Sequence, residues 1–433
     1  MLIKFTVGNF LSFRDQSSLD MTAEALKEKK GNLHTPYLYN SKLQLLKSVA
    51  IYGYNSHGKT NFIRAYAFFR NIILTSFALG KVDSEIDVEP FLLNTSNLDK
   101  PSFFELTFLI KETKYRYGFE ITNKKVVSEW FYYAEAGVRE NKLFYRYEQE
   151  FRDISKLWNK ESGSRIEQAK VFTKPHNLFL SVLLTQDNIP RVEEIASWLK
   201  GNIILTNYYS SDLNGADKIY SKLEYRETIR KFIENADLGF TNIFDKISTT
   251  INKGLHQDLT NIWYENEKNN FDLYVNHNIY NENYEFQKKV EFELSKKESS
   301  GSIKYFILTC FIAYAIKNAQ LIWIDELDAS LHTSLFSLII KQFNDSKYNS
   351  SGSQMIFTTH NTVMLNRQLR RDQIMFVTKN KYGESFLKPM HSPDKPIRIG
   401  KSVESEYRDG DLGGVSEKVI ESLKNTLFDD QNF

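Results

Sequence analysis

The sequence is short of the features that would place it outside a reducing, aqueous compartment. Cys310 is the single cysteine in 433 residues, which excludes an intramolecular disulfide framework and a zinc site built on cysteine. Long apolar runs are missing too. The most lipid-like stretch, Ile303 to Ile316, is too short to span a bilayer and carries Lys304, with Lys317 just beyond it, so it reads as a buried helix. Charge of one sign is not in excess either. A formal net charge of +2 gives no bulk argument for nucleic acid or membrane, although a basic patch assembled by the fold stays open. No internal repeat, heptad array or low-complexity linker is visible. The opening MLIKFTVGNFLSF is apolar but interrupted by polar residues, so it reads as a strand and not as a signal peptide. The expectation is a cytoplasmic protein with no membrane partner.

What is present alternates between two periodicities. Leu2 to Val7 and Ser17 to Thr22 read as strands joined around GNFLSFRD. Phe103 to Ile110, Lys114 to Ile121 and Val126 to Ala134 read as an antiparallel meander rich in aromatic and β-branched residues. From about residue 141 to 261 the pattern is mainly helical, an inserted lobe between residues 1–140 and 262–433. Phe271 to Val275 and Tyr284 to Leu294 return to strand patterning. The last part alternates again: helix Ile303 to Lys317, strand Leu321 to Asp325, helix Ser330 to Phe343, strand Gln354 to Thr359. Such alternation predicts an α/β fold with a mainly parallel sheet covered by helices.

Four elements carry chemistry. The first is GYNSHGKTN, comprising Gly53, Tyr54, Asn55, Ser56, His57, Gly58, Lys59, Thr60 and Asn61. It follows the apolar run Lys47 to Tyr52 and precedes a helical stretch from Lys59 to Leu79. The form G-x-x-x-x-G-K-[ST] lets backbone N–H groups face phosphate oxygens, with Lys59 reaching the β- and γ-phosphates and Thr60 placing its hydroxyl on Mg²⁺. The positive end of the following helix assists. The second is LIWIDELDASLH, a buried strand whose end presents Asp325 and Glu326. Asp325 suits Mg²⁺, and Glu326 suits the general base that polarises an attacking water. The third is MIFTTHN, which ends another strand on His360, placed to contact the γ-phosphate or orient the water. The fourth is ESSGS, whose Ser299, Ser300 and Gly301 open an apolar helix. They read equally as an ordinary helix cap or as an anion seat for a second nucleotide. The remaining histidines show no metal-ligand spacing.

These elements, in this order, resemble the ABC-type ATPase heads of the SMC, recombination-repair and OLD-like group. Asn55 stands at the asparagine of that group's loop; ESSGS resembles its signature, WIDE its Walker B, LDASLH its D-loop and THN its switch histidine. IKFTVGNFLSFRD resembles the N-terminal strand and loop of the same heads. More narrowly, the chain resembles the AAA-labelled, OLD-like proteins of abortive-infection and phage-defence operons, such as the ATPase subunits of PARIS and Septu systems; ADLGF and the distal EYRDGDLGG are similar to elements of that subgroup. The resemblance implies a P-loop NTPase with an ABC-type head, a mixed sheet plus an antiparallel β lobe. It implies ATP and Mg²⁺ as cofactors, and a homodimer or higher assembly with composite sites. In these, Lys59, Thr60, Asp325, Glu326 and His360 act in cis, and Ser300 and Gly301 in trans.

Several features depart from that pattern. The signature has Ser-Ser-Gly where transporter heads have Ser-Gly-Gly, His57 is bulky for its place, and Gln186 is the candidate for a Q-loop glutamine. The separation of Gly58 from Ser299, about 240 residues, is too small for a long coiled coil. No Cys-x-x-Cys hook and no Toprim-like acidic cluster are present. Two functions follow. The leading one is a defence-type ATPase sensor or scaffold controlling a separately encoded effector, a toxin or nuclease. The alternative is a RecF/SMC-like repair or recombination ATPase clamping DNA, for which Lys222, Arg226, Arg230 and Lys231 offer cations. A transporter subunit or a metal-dependent nuclease fits less well.

Overall fold

The computed structural model describes residues 1–36, 43–78, 85–186, 189–206, 210–240, 242–247, 271–362 and 368–391. The distal EYRDGDLGG and His256 lie outside them. The chain divides into two compact units. The first holds residues 1–206, 318–329 and 340–433, and the second holds 207–317 and 330–339.

The first unit begins with β1 (Leu2–Gly8), β2 (Ser17–Asp20), the short pair β3 (Leu33–His34) and β4 (Leu45–Leu46), and β5 (Ser48–Tyr52). Helix α1 (Lys59–Thr75) follows, then β6 (Ser102–Ile110), β7 (Thr113–Ile121), β8 (Val126–Ala134), β9 (Asn141–Tyr147) and β10 (Glu150–Arg152). Next come α2 (Lys156–Phe172), α3 (Phe179–Leu183), α4 (Pro190–Gly201) and β11 (Ile203–Leu205). The second unit supplies α5 (Ser210–Ser221), α6 (Leu223–Glu234), β12 (Asn242–Ile247), β13 (Phe271–Tyr280), β14 (Phe286–Glu293), α7 (Leu294–Lys297) and α8 (Ser300–Lys317). The last described elements are β15 (Leu321–Ile324), α9 (Thr333–Asn344), β16 (Gln354–Thr358), β17 (Ile374–Lys379) and β18 (Ser385–Pro389).

Two sheets dominate the first unit. One is antiparallel, in the order β10-β9-β8-β7-β6-β1-β2. The other runs β11-β15-β16-β5-β17-β18 and is parallel except for the hairpin partner β18. Its central strands β5, β15 and β16 are buried at every position, the run pattern of a parallel sheet covered on both faces. The expected α/β class, with a mixed sheet and an antiparallel lobe, is what the chain forms. Helix α1 packs between the two sheets through aromatic contacts. Phe5 of β1 meets Phe62, Tyr66 and Phe69 edge-on at 5.7, 5.3 and 5.7 Å. From the parallel sheet, Trp323 stacks on Tyr66 at 4.6 Å. Gripped on both sides, α1 holds its first residue, Lys59, at the C-terminal end of β5.

Strands β9 and β10 fall where the sequence pattern reads as mainly helical. They extend the antiparallel sheet because Leu143, Phe144 and Arg146 turn inward. Arg146 is fully buried and donates to Glu129 at 3.3 Å and to the Asn177 carbonyl at 2.6 Å. Glu129 in turn accepts from the Tyr117 hydroxyl and from the N–H groups of Phe179 and Leu180, at 2.8, 2.7 and 2.9 Å. Burial raises its pKa, opposed by Arg146 and those donors. The second unit packs α5 and α6 on α8, with Tyr220, Ile229, Phe306 and Cys310 in one core, beside the sheet β12-β13-β14.

Candidate nucleotide site

The loop between β5 and α1 is shaped by two glycines. Gly58 lies at φ 109°, and a Cβ there would stand 2.6 Å from both the Ser12 and Ser385 hydroxyl oxygens. A Cβ on Gly53 would stand 2.7 Å from the Val377 carbonyl. A side chain at Gly53 would have to displace the β17 backbone, and one at Gly58 would meet two serine hydroxyls in a left-handed backbone. Those strands also hold it. The Ser385 hydroxyl donates to the His57 carbonyl at 2.6 Å, the Lys379 ammonium to the Ser56 carbonyl at 2.9 Å, and the Asn61 amide to the Ser12 hydroxyl at 2.9 Å. Tyr54, Asn55 and Ser56 form the exposed crown of the loop, and Tyr54 faces His57 with rings 5.7 Å apart. His57 is half-buried, and burial lowers its pKa.

Lys59 is buried and folds back on the loop, donating to the carbonyls of Gly53 and Tyr54 at 2.8 and 3.3 Å. Burial lowers its pKa to about 8, while Asp325, Glu326 and Asp328 act in the opposite sense. Asp325, Glu326 and Asp328 therefore lie near enough to act on the charge of Lys59, although more than 260 residues separate them from it in sequence. Parallel pairing of β15 with β16, and of β16 with β5, produces the convergence. His360 joins the same group. Its pKa is lowered by burial and by Lys59, and raised by Asp328, Glu326 and Asp325; its N–H donates to the Asp328 carboxylate at 3.2 Å.

At the end of β15, Asp325 is buried and Glu326 is exposed. Glu326 has a left-handed backbone, φ 49°, which turns consecutive carboxylates in different directions and is strained for a residue with a Cβ. The Thr358 hydroxyl donates to Asp325 Oδ1 at 2.6 Å and accepts from the Glu326 N–H at 2.7 Å.

The hydroxyl of Thr60 and the carboxylate of Asp325 are hard oxygen donors of the kind Mg²⁺ takes alongside phosphates and water. Among the described residues there is no cluster of three or more histidine, cysteine or acidic groups able to cage a metal. A one- or two-ligand Mg²⁺ site fits that donor set.

Ser299, Ser300 and Gly301 belong to the second unit. Ser299 caps α8: its hydroxyl accepts from the Ser302 N–H at 3.1 Å, and its carbonyl from the Ile303 N–H at 3.0 Å. A Cβ on Gly301 would stand 2.8 Å from the Ser330 carbonyl, so glycine permits the close approach of Ser330 within the second unit. Ser299 and Ser300 are exposed. Gln186, the Q-loop candidate, follows α3, where its N–H donates to the Leu183 carbonyl at 3.1 Å. Four residues of the site escaped the sequence reading: Ser12, Asp328, Thr358 and Ser385. Asp328 lay in plain view within LDASLH; the two serines and the threonine are found through pairing between distant strands.

The geometry agrees with the comparison to known families. Residues 48–366, about three quarters of the chain, match the family described as "AAA domain, putative AbiEii toxin, Type IV TA system". The chain belongs to that family. It is an α/β protein with an AAA domain, and the matched span covers Gly53 to Asn61, Ser299 to Gly301, Asp325, Glu326 and His360. No curated protein matches the sequence. Among solved structures it is similar to an SmcHead bound to the C-winged helix domain of ScpA, at 13% identity over 89% of this chain and 96% of that one, TM-score 0.40. It is also similar to the recombination mediator protein RecF with ATP, at 11% identity over 89% and 97%, TM-score 0.31. Overlaps this loose carry no functional weight. Among the described residues no helix is long and apolar enough to cross a membrane.

Proposed function

We propose that this chain binds Mg²⁺-ATP at the β5–α1 loop and hydrolyses it to ADP and phosphate. The observation that carries the reading is the parallel register of β5, β16 and β15, which brings Asp325 and Glu326 to the same sheet edge as the β5–α1 loop and its buried Lys59. With nucleotide bound, the Lys59 ammonium turns from the loop carbonyls to the phosphates, and the loop N–H groups take the remaining phosphate oxygens. Thr60 and Asp325 would hold Mg²⁺, which would offset the charge of the triphosphate when bound. Glu326 accepts a proton from the attacking water as the bond to the γ-phosphorus forms and that to the β,γ-bridging oxygen breaks. His360 orients the water or the γ-phosphate.

The exposed Ser299 and Ser300 at the start of α8 support a second part of the proposal: Ser300 and Gly301 of one copy complete the site of another in a homodimer or larger assembly. In this reading the ATP state sets the assembly, and the assembly restrains or releases a separately encoded toxin or nuclease in antiviral, abortive-infection defence. The family description supports a link to a type IV toxin–antitoxin system, in which it names the AAA domain itself as the "putative AbiEii toxin". The test compares two variants. Glu326→Gln should retain uncleaved ATP and shift the mass measured by light scattering toward the dimer or beyond. Lys59→Ala should retain no nucleotide and show no shift. Equal masses in both variants with Mg²⁺-ATP would refute the assembly step.

A further inference from the structure

The Thr358 hydroxyl sits between the two carboxylate-bearing residues at the end of β15. Its single proton goes to Asp325 Oδ1 at 2.6 Å, because the Glu326 N–H facing it can only donate. A lone pair is thereby left to accept the Glu326 N–H at 2.7 Å. The direction of both bonds is fixed. Thr358 is fully buried, so water does not compete for either. The Thr358 carbonyl also accepts from the Leu327 N–H at 3.0 Å. One residue therefore anchors three consecutive residues of the turn, including Glu326 in its left-handed conformation.

We propose that Thr358 is a positioning residue for the nucleotide site, orienting Asp325 for Mg²⁺ and Glu326 for the attacking water. The proposal rests on the Mg²⁺-ATP reading above and deepens it. One hydroxyl serves both parts of the chemistry: it commits one oxygen of the metal-side carboxylate and fixes the backbone from which the base projects. A serine supplies the same hydroxyl. A valine has the same shape without it and removes the two hydrogen bonds that Thr358 makes to Asp325 Oδ1 and the Glu326 N–H.

The test measures retention of a fluorescent ATP analogue against Mg²⁺ concentration in the full-length wild type, Thr358→Val and Thr358→Ser, with single-turnover hydrolysis in parallel. Loss of a hydrogen bond to a charged group predicts that the valine variant needs about tenfold more Mg²⁺ or beyond, with a matching drop in the hydrolysis step and little change in Mg²⁺-free nucleotide binding. Thr358→Ser should restore both within about twofold. A valine variant with the wild-type Mg²⁺ requirement overturns the proposal. So does a serine variant as impaired as valine, since packing of the methyl would then be responsible. Should the valine variant fail to fold, Thr358→Ala replaces it against the same serine comparison. Wild-type protein that retains no Mg²⁺-nucleotide would instead refute the site itself.

Discussion

Lys59 offers a measurable consequence of its burial. Its pKa stands near 8 because burial outweighs the neighbouring carboxylates. In the nucleotide-free protein it is about nine-tenths charged at pH 7 and about one-quarter charged at pH 8.5. A triphosphate beside it favours the ammonium and returns the pKa toward or above the ordinary lysine value. Binding should therefore take up about 0.7 proton per site at pH 8.5 and about 0.1 at pH 7. The sign follows from the charged form being the binding form: affinity falls as pH rises through 8. A terminal phosphate titrates near pH 6, so at pH 8.5 its own proton contributes almost nothing. Calorimetric titration of Mg²⁺ and a non-hydrolysable ATP analogue, in buffers of different ionisation enthalpy, reads the proton count directly. Lys59→Arg keeps the charge with a side chain that does not titrate in this range, and should abolish the uptake. Equal uptake at the two pH values, or uptake that survives in Lys59→Arg, would refute the reasoning.

Two further outcomes follow from the packing. Gly58→Ala places a Cβ 2.6 Å from the Ser12 and Ser385 oxygens in a left-handed backbone, so nucleotide affinity should fall at least about tenfold, a cost of about 1.4 kcal/mol or more. Gly137, at φ 76° with nothing within 4 Å of its Cβ position, is the control: Gly137→Ala should leave affinity unchanged in the same fluorescence titration. Glu129→Ala strands the buried Arg146 guanidinium and should cost about 3–5 kcal/mol of stability. Denaturant unfolding reads this loss, and replacing Arg146 by Met in the same chain should recover part of it.

Where function depends on short-range order, the sequence was legible. The strand–loop–helix context of GYNSHGKTN was legible because β5, the loop and α1 follow one another within about 30 residues, and the meander β6–β8 reads correctly because each strand alternates in step with its pleat. Strands β17 and β18 went unread, although Val377, Lys379 and Ser385 form the back of the β5–α1 loop. Their apolar runs are short, and what makes them matter is pairing to a strand more than 320 residues earlier. Thr358 was hidden for a similar reason. A threonine in an apolar strand looks like an ordinary β-branched residue, and its bridge to Asp325 exists only in the parallel register that sets Ile324 beside Phe357. Strands β9 and β10 were hidden by polar flanks and by Arg146, whose inward turn depends on Glu129 across the sheet.

The central claim is that Lys59 and Glu326 belong to one hydrolytic site. Single-turnover cleavage of ATP by wild type and Glu326→Gln, with bound nucleotide analysed over time, tests it most directly. The account predicts that the wild type converts bound ATP to ADP while the glutamine variant holds ATP intact. Cleavage by Glu326→Gln at the wild-type rate would contradict it.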